Sequence, residues 1–324
     1  MVAPINDIPM TDRLPLIILA GSDQRAGPVP AGLPPEQVLR GCKGAHRLPT
    51  GRPLVAELVD RYRQSGRFAD PIVVGPAHVY RGLLDCELIH VQGNLAATLA
   101  CVREQAMTRF DPAQPLALST CDILPTADEI RRLIEESYDP HSGCCFWSEV
   151  ITAQPEELGA SSWKPSYRVR TDDGRETMKI YPGHLVIVRP EALRIRLTSH
   201  LLKVAYRFRN RDMRWRHLQI VAHGLGRLIW EDMRGLMRGR WPLLSVAIPY
   251  HGLRAYYLWR RGQLSLRGFE HAVNRAFLHR RFQRHNGGRP VVFAATRILS
   301  FAKDIDTVAE LAELGARVPC NSVS

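Results

Sequence analysis

The sequence predicts an α/β protein with a mostly parallel sheet flanked by helices and a basic helical insertion in its second half. Short apolar runs alternate with segments of helical period in the first half of the chain, which is the pattern of a parallel sheet with helices on its faces. The chain has 324 residues, enough for a large core, and its 45% hydrophobic and 23% charged residues are ordinary for a globular protein. After about residue 150 the pattern changes to further strands and a long helical region.

The predicted elements follow in chain order. In the first half, short apolar runs predict buried strands at 16–20, 71–75 and 116–119. Segments with a helical period predict the helices between them, at 54–65 and 94–106. In the second half we expect strands at 167–170, 184–188 and 291–295, mainly helix across 190–260, and a closing helix that begins near Thr307.

The domain organisation predicted from this order is simple, because the chain has no repeat of fixed period and no long low-complexity tract. We expect one domain over residues 14–315, interrupted at about 190–260 by the helical insertion. Residues 1–13 and 316–324 are expected to be tails.

The charge of the chain favours anionic partners, since 44 Lys+Arg against 32 Asp+Glu give a net charge of +12. Seven cysteines without a CxxC pair or zinc-site spacing indicate reduced thiols and a cytoplasmic setting. The apolar run near the N-terminus is too short to span a membrane, and Pro242 and Pro249 interrupt the more lipophilic residues 241–259. For that segment we expect burial in the protein, with contact at a membrane surface as the alternative.

The residues that follow the first three strands are the candidates for a ligand site, because ligands of open α/β sheets bind at the carboxyl ends of the strands. These residues are 21–25, 75–80 and 120–125. The third group contains Asp122, a carboxylate next to an apolar strand, which is costly unless it is paired or bound to a metal ion.

Six sequence blocks, taken in order, resemble the molybdenum-cofactor guanylyltransferase-like (MobA-like) superfamily of nucleotidyltransferases. The blocks are LAGSDQR (19–25) followed by Lys43 and GRPLV (51–55), PIVVGP (71–76), VQGNLAATLACV (91–102), LALSTCDILPTADEI (116–130), KIYPGHLVIV (179–188) and KDIDTVAELAEL (303–314). The resemblance implies a Rossmann-like GT-A type fold over nearly the whole chain, and only residues 190–260 match it loosely.

Three features depart from the family pattern and indicate an altered substrate or a decayed site. The loop after the first strand has Ser22 and two further polar residues where a second glycine is common. Ile-Leu separates Asp122 from Pro125, and His184 stands where asparagine is more frequent.

The resemblance implies an enzyme that transfers a nucleoside monophosphate from an NTP, CTP or GTP, to a phosphorylated or phosphonate small molecule and releases pyrophosphate. Such chemistry needs positioning and neutralisation of crowded negative charge, hence Mg²⁺ and cationic side chains. The resemblance implies Arg25, Lys43 and Asp122 as catalytic residues, with Asp122 and Asp306 holding Mg²⁺ and Asp304 as the competitor of Asp306.

Nucleotide contacts are expected at the loop after the first strand and beside the base. Backbone N–H groups of residues 20–24, which include Ala20, Gly21 and Ser22, would hold the triphosphate. Gly75, Pro76, Gly93 and Asn94 would lie beside the base. In the basic segment, Lys203 and Arg207 lie one helical turn apart and would close over an anionic acceptor as a lid.

Each of these assignments has a structural alternative. Arg25 and Lys43 can be solvated surface cations, and Asp122 and Asp306 can be loop or helix-cap residues. Gly93 and Asn94 can be only a turn and a cap, and the basic segment can be the solvated face of a helix.

Two functional classes remain open from the sequence. The enzyme described above is favoured by the combination of Lys43, Asp122 and Asp306, and its partners would be an NTP and a phosphorylated acceptor. The alternative is a catalytically altered protein of the same fold that binds RNA or an acidic membrane surface through its basic insertion. A sugar-transferring enzyme fits less well because Asp122 belongs to no DxD motif.

Overall fold

A computed structural model of the protein describes residues 13–22, 33–164, 166–208, 213–239, 243–283 and 288–315. Its strands are β1 (Leu16–Leu19), β2 (Ile72–Gly75), β3 (Glu87–His90), β4 (Leu116–Thr120), β5 (Phe146–Thr152), β6 (Tyr167–Arg170), β7 (Thr177–Val188) and β8 (Val291–Thr296). Its α-helices are α1 (Leu54–Ser65), α2 (Ala77–Tyr80), α3 (Leu95–Cys101), α4 (Ala127–Ser137), α5 (Ile195–Arg207), α6 (Met213–Leu236), α7 (Leu244–Arg260), α8 (Leu266–Phe277) and α9 (Val308–Gly315).

The eight strands form one sheet in the order β3-β2-β1-β4-β7-β5-β8, with β6 paired to β7. The pairs β3–β2, β2–β1, β1–β4 and β5–β8 are parallel, whereas β7 runs antiparallel to β4, β5 and β6. The predicted α/β fold is therefore confirmed, and the sheet is mixed at β7. The carboxyl ends of β1, β2 and β4 lie at one edge, which brings the three predicted ligand-site segments together.

Strand β1 shows why the sheet is covered on both faces. Its four residues are all buried, and successive side chains point to opposite faces. Leu16 and Ile18 pack into the cluster formed with α1 and α4, while Ile17 and Leu19 pack into the cluster on the α3 side. Full burial of each such side chain contributes about 1.5–3 kcal/mol.

Local signals fix the ends of the helices that flank the sheet. Helix α1 follows Pro53 and ends at Gly66, whose φ of 71° is left-handed and suits glycine. Helix α4 starts at a capping box, in which Thr126 and Glu129 each accept a hydrogen bond from the other's backbone N–H. This box begins four residues after Asp122 and so anchors the loop that carries this carboxylate.

The predicted helical region is confirmed as α5, α6 and α7, and α5 packs against α3, α6 and α8. Residues 1–12 and 316–324, which cover nearly all of the predicted tails, lie outside the described residues. None of the described helices is long and apolar enough to cross a membrane. Six cysteines lie in the described ranges, and all are free thiols.

Gly75 at the end of β2 tests how closely the backbone after β1 and the ring of Tyr80 approach β2 at the carboxyl edge of the sheet. A Cβ at this position would lie 2.4 Å from the carbonyl oxygen of Ala20 and 2.8 Å from the ring of Tyr80. Gly75→Ala is therefore expected to lower the free energy of unfolding by about 1–3 kcal/mol, as overpacking does. Urea denaturation measures the loss.

Gly226→Ala is the matched control, because nothing lies within 4 Å of its Cβ position on α6. That change is expected to leave stability unchanged or raise it by up to about 1 kcal/mol, the helix propensity difference. Equal effects of the two substitutions would contradict the close approach at Gly75.

Candidate active site

Lys43 lies between two partly buried carboxylates at the carboxyl edge of the sheet. Its Nζ is 3.1 Å from Asp122 Oδ2 and forms a second ion pair with Asp306 Oδ1. Lys43 opens a short helical turn (Lys43–Ala45), Asp122 follows β4, and Asp306 precedes α9. The three side chains are only 15–17% exposed, so the surface-lysine interpretation of Lys43 is wrong.

A second lysine, Lys164, completes the cluster and was not predicted from the sequence. Its Nζ lies 2.5 Å from Asp304 Oδ1, 2.9 Å from Asp306 Oδ2 and 3.3 Å from Glu310 Oε1. Its side chain is 7% exposed. Nothing in the sequence around Lys164 distinguishes it from a loop lysine, and only the fold reveals its partners.

Asp304 and Asp306 point to the same side of the chain, as the alternation around Ile305 predicts. Ile305 is fully buried, and its N–H donates to the carbonyl oxygen of Asp122 at 2.8 Å. Both carboxylates therefore belong to the site: Asp306 contacts Lys43 and Lys164, and Asp304 contacts Lys164.

A capping box holds the segment that carries these two aspartates. Glu310 Oε2 accepts the N–H groups of Asp306 and Thr307 at 2.8 and 2.9 Å, and Thr307 Oγ1 accepts the N–H of Glu310. This is the reciprocal pattern expected from Thr-x-x-Glu at a helix start. Since Glu310 Oε1 accepts from Ser161 and pairs with Lys164, one residue both starts α9 and fixes the second lysine.

His184 joins the cluster from β7. Its Nδ1 is 3.0 Å from Thr120 Oγ1 and 4.0 Å from Asp122 Oδ1, and its Nε2 is 3.6 Å from Asp304 Oδ1. Burial alone would lower the pKa of this imidazole, but the charges of Asp304 and Asp122 raise it. The sequence singled out His184 only as a departure from the family pattern, and the structure places it between two of the site carboxylates.

Four carboxylates share this cluster with two lysines and one histidine, which leaves an excess of negative charge. Burial opposes ionisation of Asp304, but His184, Lys164 and Lys43 hold its pKa well below the ordinary value. Burial and the charge of Asp304 raise the pKa of Asp306, although both lysines contact it. The crowding of carboxylates therefore acts strongly on Asp306, and its two lysine partners only partly offset it.

The donor set fits Mg²⁺ as part of a nucleotide complex. Magnesium is usually held by one or two carboxylates and takes its other ligands from water and substrate phosphates. Asp122 Oδ1 is buried without a hydrogen-bond partner, and the cluster has an excess of hard carboxylate oxygens. A complete protein cage is not formed: across the described ranges, no group of three or more His, Cys, Asp or Glu is arranged to hold a metal ion.

The loop after β1 lies against the start of α3. Ala20 N–H donates to the carbonyl oxygen of Val74 at 2.9 Å, and Ser22 N–H donates to that of Gly93 at 2.8 Å. These two N–H groups fix the loop, and they are not directed at a phosphate as the sequence analysis expected. Gly21 allows this packing, because a Cβ there would lie 2.5 Å from Thr98 Oγ1.

The other predicted nucleotide contacts lie at the same edge. Gly75 and Pro76 close β2, and Gly93 has a left-handed φ of 123°. The Asn94 side chain caps α3 by accepting the N–H groups of Ala96 and Ala97, so the structural alternative for this residue is confirmed. Contact of these residues with a nucleotide stays a prediction.

Two predicted residues do not contribute to the described cluster. Arg25 lies outside the described residues. Lys203 is exposed on α5, and no described contact joins it to Lys43, Asp122 or Asp306. Its role toward an acceptor stays a prediction.

Glu149, which the sequence analysis did not identify, lies beside His184 in an irregular part of the sheet. The register of β5 with β7 shifts between Ser148 and Val150, and Glu149 Oε1 accepts the N–H groups of His184 and Leu185 at 2.6 and 2.7 Å. The side chain is fully buried, and Oε2 has no hydrogen-bond partner. Burial raises the pKa of Glu149 to about 8, so the carboxyl is largely protonated at neutral pH.

Glu149 also lines an apolar cavity of about 480 Å³ between the sheet and α7. The helix contributes Tyr256 and Trp259, and the sheet contributes Val150 and Gly183 among others. Gly183 is required next to the carboxyl, because a Cβ there would lie 2.1 Å from Glu149 Oε1. The cavity and the ion cluster are therefore joined through residues 183–185 of β7.

Comparison with known proteins shows the fold. No family model and no curated protein matches the chain. A solved structure described as a hypothetical transferase from Thermus thermophilus matches 92% of this chain and 99% of its own length, with a TM-score of 0.52 and 18% identity. The chain thus shares its fold with that protein over nearly the whole of both.

Two further solved structures match smaller parts of the chain at low TM-scores. CMP:2-keto-3-deoxy-manno-octonic acid synthetase, complexed with CTP, matches 58% of this chain and 78% of its own, with 12% identity and a TM-score of 0.39. A 4-diphosphocytidyl-2C-methyl-D-erythritol synthase matches 59% and 79%, with 10% identity and a TM-score of 0.34.

The raised pKa of Glu149 predicts a pH dependence of stability. The folded protein holds this proton up to about pH 8, whereas an ordinary glutamate releases it near 4.5. The stabilisation is therefore fully present below pH 4.5 and is lost as the pH rises to about 8, at no more than about 1.4 kcal/mol per pH unit. Glu149→Gln is expected to remove this part of the slope, measured by urea denaturation at several pH values.

Glu176→Gln is the control, because this carboxyl is exposed in the turn before β7. It is expected to keep the wild-type slope. If the free energy of unfolding of Glu149→Gln still falls with rising pH as steeply as that of the wild type, Glu149 is not protonated in the folded protein as inferred.

Proposed function

We propose that the protein transfers a nucleoside monophosphate from an NTP to a phosphorylated or phosphonate small molecule and releases pyrophosphate. The observation that carries this proposal is Lys43 held between Asp122 and Asp306 at the carboxyl edge of the sheet. The sequence blocks that resemble the MobA-like superfamily supply the same three residues. The shared fold with a hypothetical transferase is consistent with it.

The reaction is an in-line displacement at the α-phosphorus. An acceptor phosphate oxygen forms the new P–O bond, and the bond to pyrophosphate breaks. Because the nucleophile is already an anion, the site has to supply positioning and positive charge, and it needs no strong base. A lysine held at this edge by two carboxylates is suited to this, because its ammonium already lies at the carboxyl ends of the strands, where the triphosphate would bind.

The charges of the cluster explain how Lys43 would act. Asp122, Asp306 and Asp304 together keep the pKa of Lys43 above its ordinary value in spite of burial, so the ammonium is charged at every physiological pH. An α-phosphate oxygen would compete with the carboxylates for this ammonium. Mg²⁺, when bound by Asp122 and Asp306, would neutralise triphosphate charge and part of the excess negative charge of the cluster.

Lys164 and His184 act as positioning residues in this proposal. Lys164 holds Asp304 and Asp306 side by side, and its pKa is also raised by these carboxylates against the effect of burial. His184 bridges Asp304 and the end of β4. Both would keep the carboxylates in place while Lys43 moves to the nucleotide.

The direct test follows pyrophosphate release with each of the four NTPs, Mg²⁺ and a panel of phosphorylated metabolites. We expect release with one NTP, CTP or GTP by the family resemblance, and only when an acceptor is present. Asp122→Asn is expected to cut turnover by ~10²-fold or more, the scale on which a transition-state charge stabiliser acts. Asp128→Asn, at an exposed carboxyl on α4, is the control and should keep activity.

A second prediction separates Lys43 from bulk charge. Lys43→Met should abolish most turnover, whereas Arg175→Met, which removes an exposed cation, should change it little. Loss of Lys43 also leaves Asp122 and Asp306 without a partner, so thermal unfolding of the variant has to be measured and assays run well below its midpoint. Equal effects of the two substitutions on turnover would mean that Lys43 contributes only through the overall charge of the protein.

A further inference from the structure

The outer side of helices α6 and α7 exposes far more apolar surface than the rest of the protein. Among the described residues, eighteen large hydrophobic side chains are exposed, and sixteen of them lie between residues 202 and 259. Monomeric soluble proteins rarely expose contiguous apolar patches of this kind, and such patches mark interaction sites. We call the exposed side chains of α6 and α7 the apolar face.

The spacing of these side chains shows that the face is continuous along each helix. On α7 the exposed residues recur every three or four positions and form one narrow stripe: Val246, Tyr250, Leu253 and Tyr257. On α6 they follow steps of four: Val221, Leu225, Ile229, Met233 and Met237, the last just past the helix end. The two helices pack against each other, so the stripes lie on neighbouring helices.

The positive charge of the protein is concentrated in the same segment. Residues 194–261 contain 15 Lys+Arg and 3 Asp+Glu, a net +12, which equals the net charge of the whole chain. The remaining residues contain 29 of each sign and are neutral overall. Exposed arginines stand next to the α7 stripe at Arg254, Arg260 and Arg261.

We propose that the apolar face docks flat on an anionic lipid bilayer. Apolar side chains on a helix would insert at the boundary of headgroups and acyl chains, while flanking arginines bind lipid phosphates. The helices would lie in the membrane plane, in agreement with the finding that none of the described helices can span a bilayer. This inference does not depend on the nucleotide chemistry.

Two other occupants explain the surface less well. RNA would use the arginines and the aromatic rings, but aliphatic side chains such as Val246, Leu253 and Ile229 offer no face on which bases stack. A second copy meeting this face with its own would place two segments of net +12 against each other, which is repulsive. An anionic bilayer satisfies both the apolar and the basic character.

Docking has a consequence for the cavity behind α7. Tyr256 and Trp259 of this helix line the apolar cavity that contains Glu149. A bilayer bound to α7 would lie beside this cavity, and through β7 beside the ion cluster. The membrane contact and the proposed active site would thus be neighbours.

The test is sedimentation of the full chain with vesicles of phosphatidylcholine alone or mixed with an equal amount of phosphatidylglycerol. We expect binding to the anionic vesicles, weakened by salt, and at least ~10-fold less binding to phosphatidylcholine alone. The double variant Val246→Asp, Leu253→Asp should bind the anionic vesicles at least ~10-fold more weakly, because both side chains are about two-thirds exposed and contribute to the face without supporting the core.

The matched control is Ala113→Asp with Gln114→Asp, which adds the same charge on an exposed turn distant in sequence from α6 and α7. It should bind like the wild type, and all variants should show the same thermal unfolding. Quenching of tryptophan fluorescence by brominated lipids, reduced in Trp230→Phe, is the supporting measurement that leaves the stripe intact, because Trp230 is exposed on α6.

Three results would overturn the proposal. The first is equal binding of wild type and double variant to anionic vesicles. The second is no binding of the wild type to anionic vesicles, whether or not the protein binds an RNA oligonucleotide. The third is a wild-type dimer in solution that the double variant converts to a monomer, which would assign the face to a second copy.

Discussion

The structure depends on one cluster of buried charges at the carboxyl edge of the sheet. Lys43 and Lys164 join carboxylates from two distant parts of the sequence, the loop after β4 and the segment that leads into α9. Charges buried this deeply are tolerated only when they are paired, and removing one partner leaves the others uncompensated. The same cluster therefore ties the chain together and contains more carboxylates than cations.

Most of the fold could be predicted because its buried strands read as apolar runs. Strands β2 and β4 begin with three apolar residues each, 72–74 and 116–118, and the positions of both strands were predicted within one residue. Strand β3 was missed because it is a largely exposed edge strand, and β5 was missed because Ser148 and Glu149 interrupt its apolar pattern at the register shift. The antiparallel direction of β7 depends on which strands it pairs with, and the local sequence of the strand does not show this.

Some residues of the candidate site could be predicted from the sequence, and others are revealed only by the fold. Lys43, Asp122 and Asp306 were predicted from the family blocks, and the structure brings them together. Lys164 and Glu149 have no sequence signal, because one depends on a loop folding against α9 and the other on a bulge in β5. The expected burial of the lipophilic residues 241–259 was wrong for the described residues 243–259, none of which is buried, and their exposed stripe could not be predicted from composition.

An experimental structure of the protein with Mg²⁺ and a non-hydrolysable NTP analogue would show directly whether Lys43 acts on the nucleotide. We expect the triphosphate at the carboxyl ends of β1 and β4, with Lys43 Nζ in contact with the α-phosphate and the metal ion on Asp122 and Asp306. A nucleotide bound elsewhere, with Lys43 still held between the two carboxylates, would contradict this expectation.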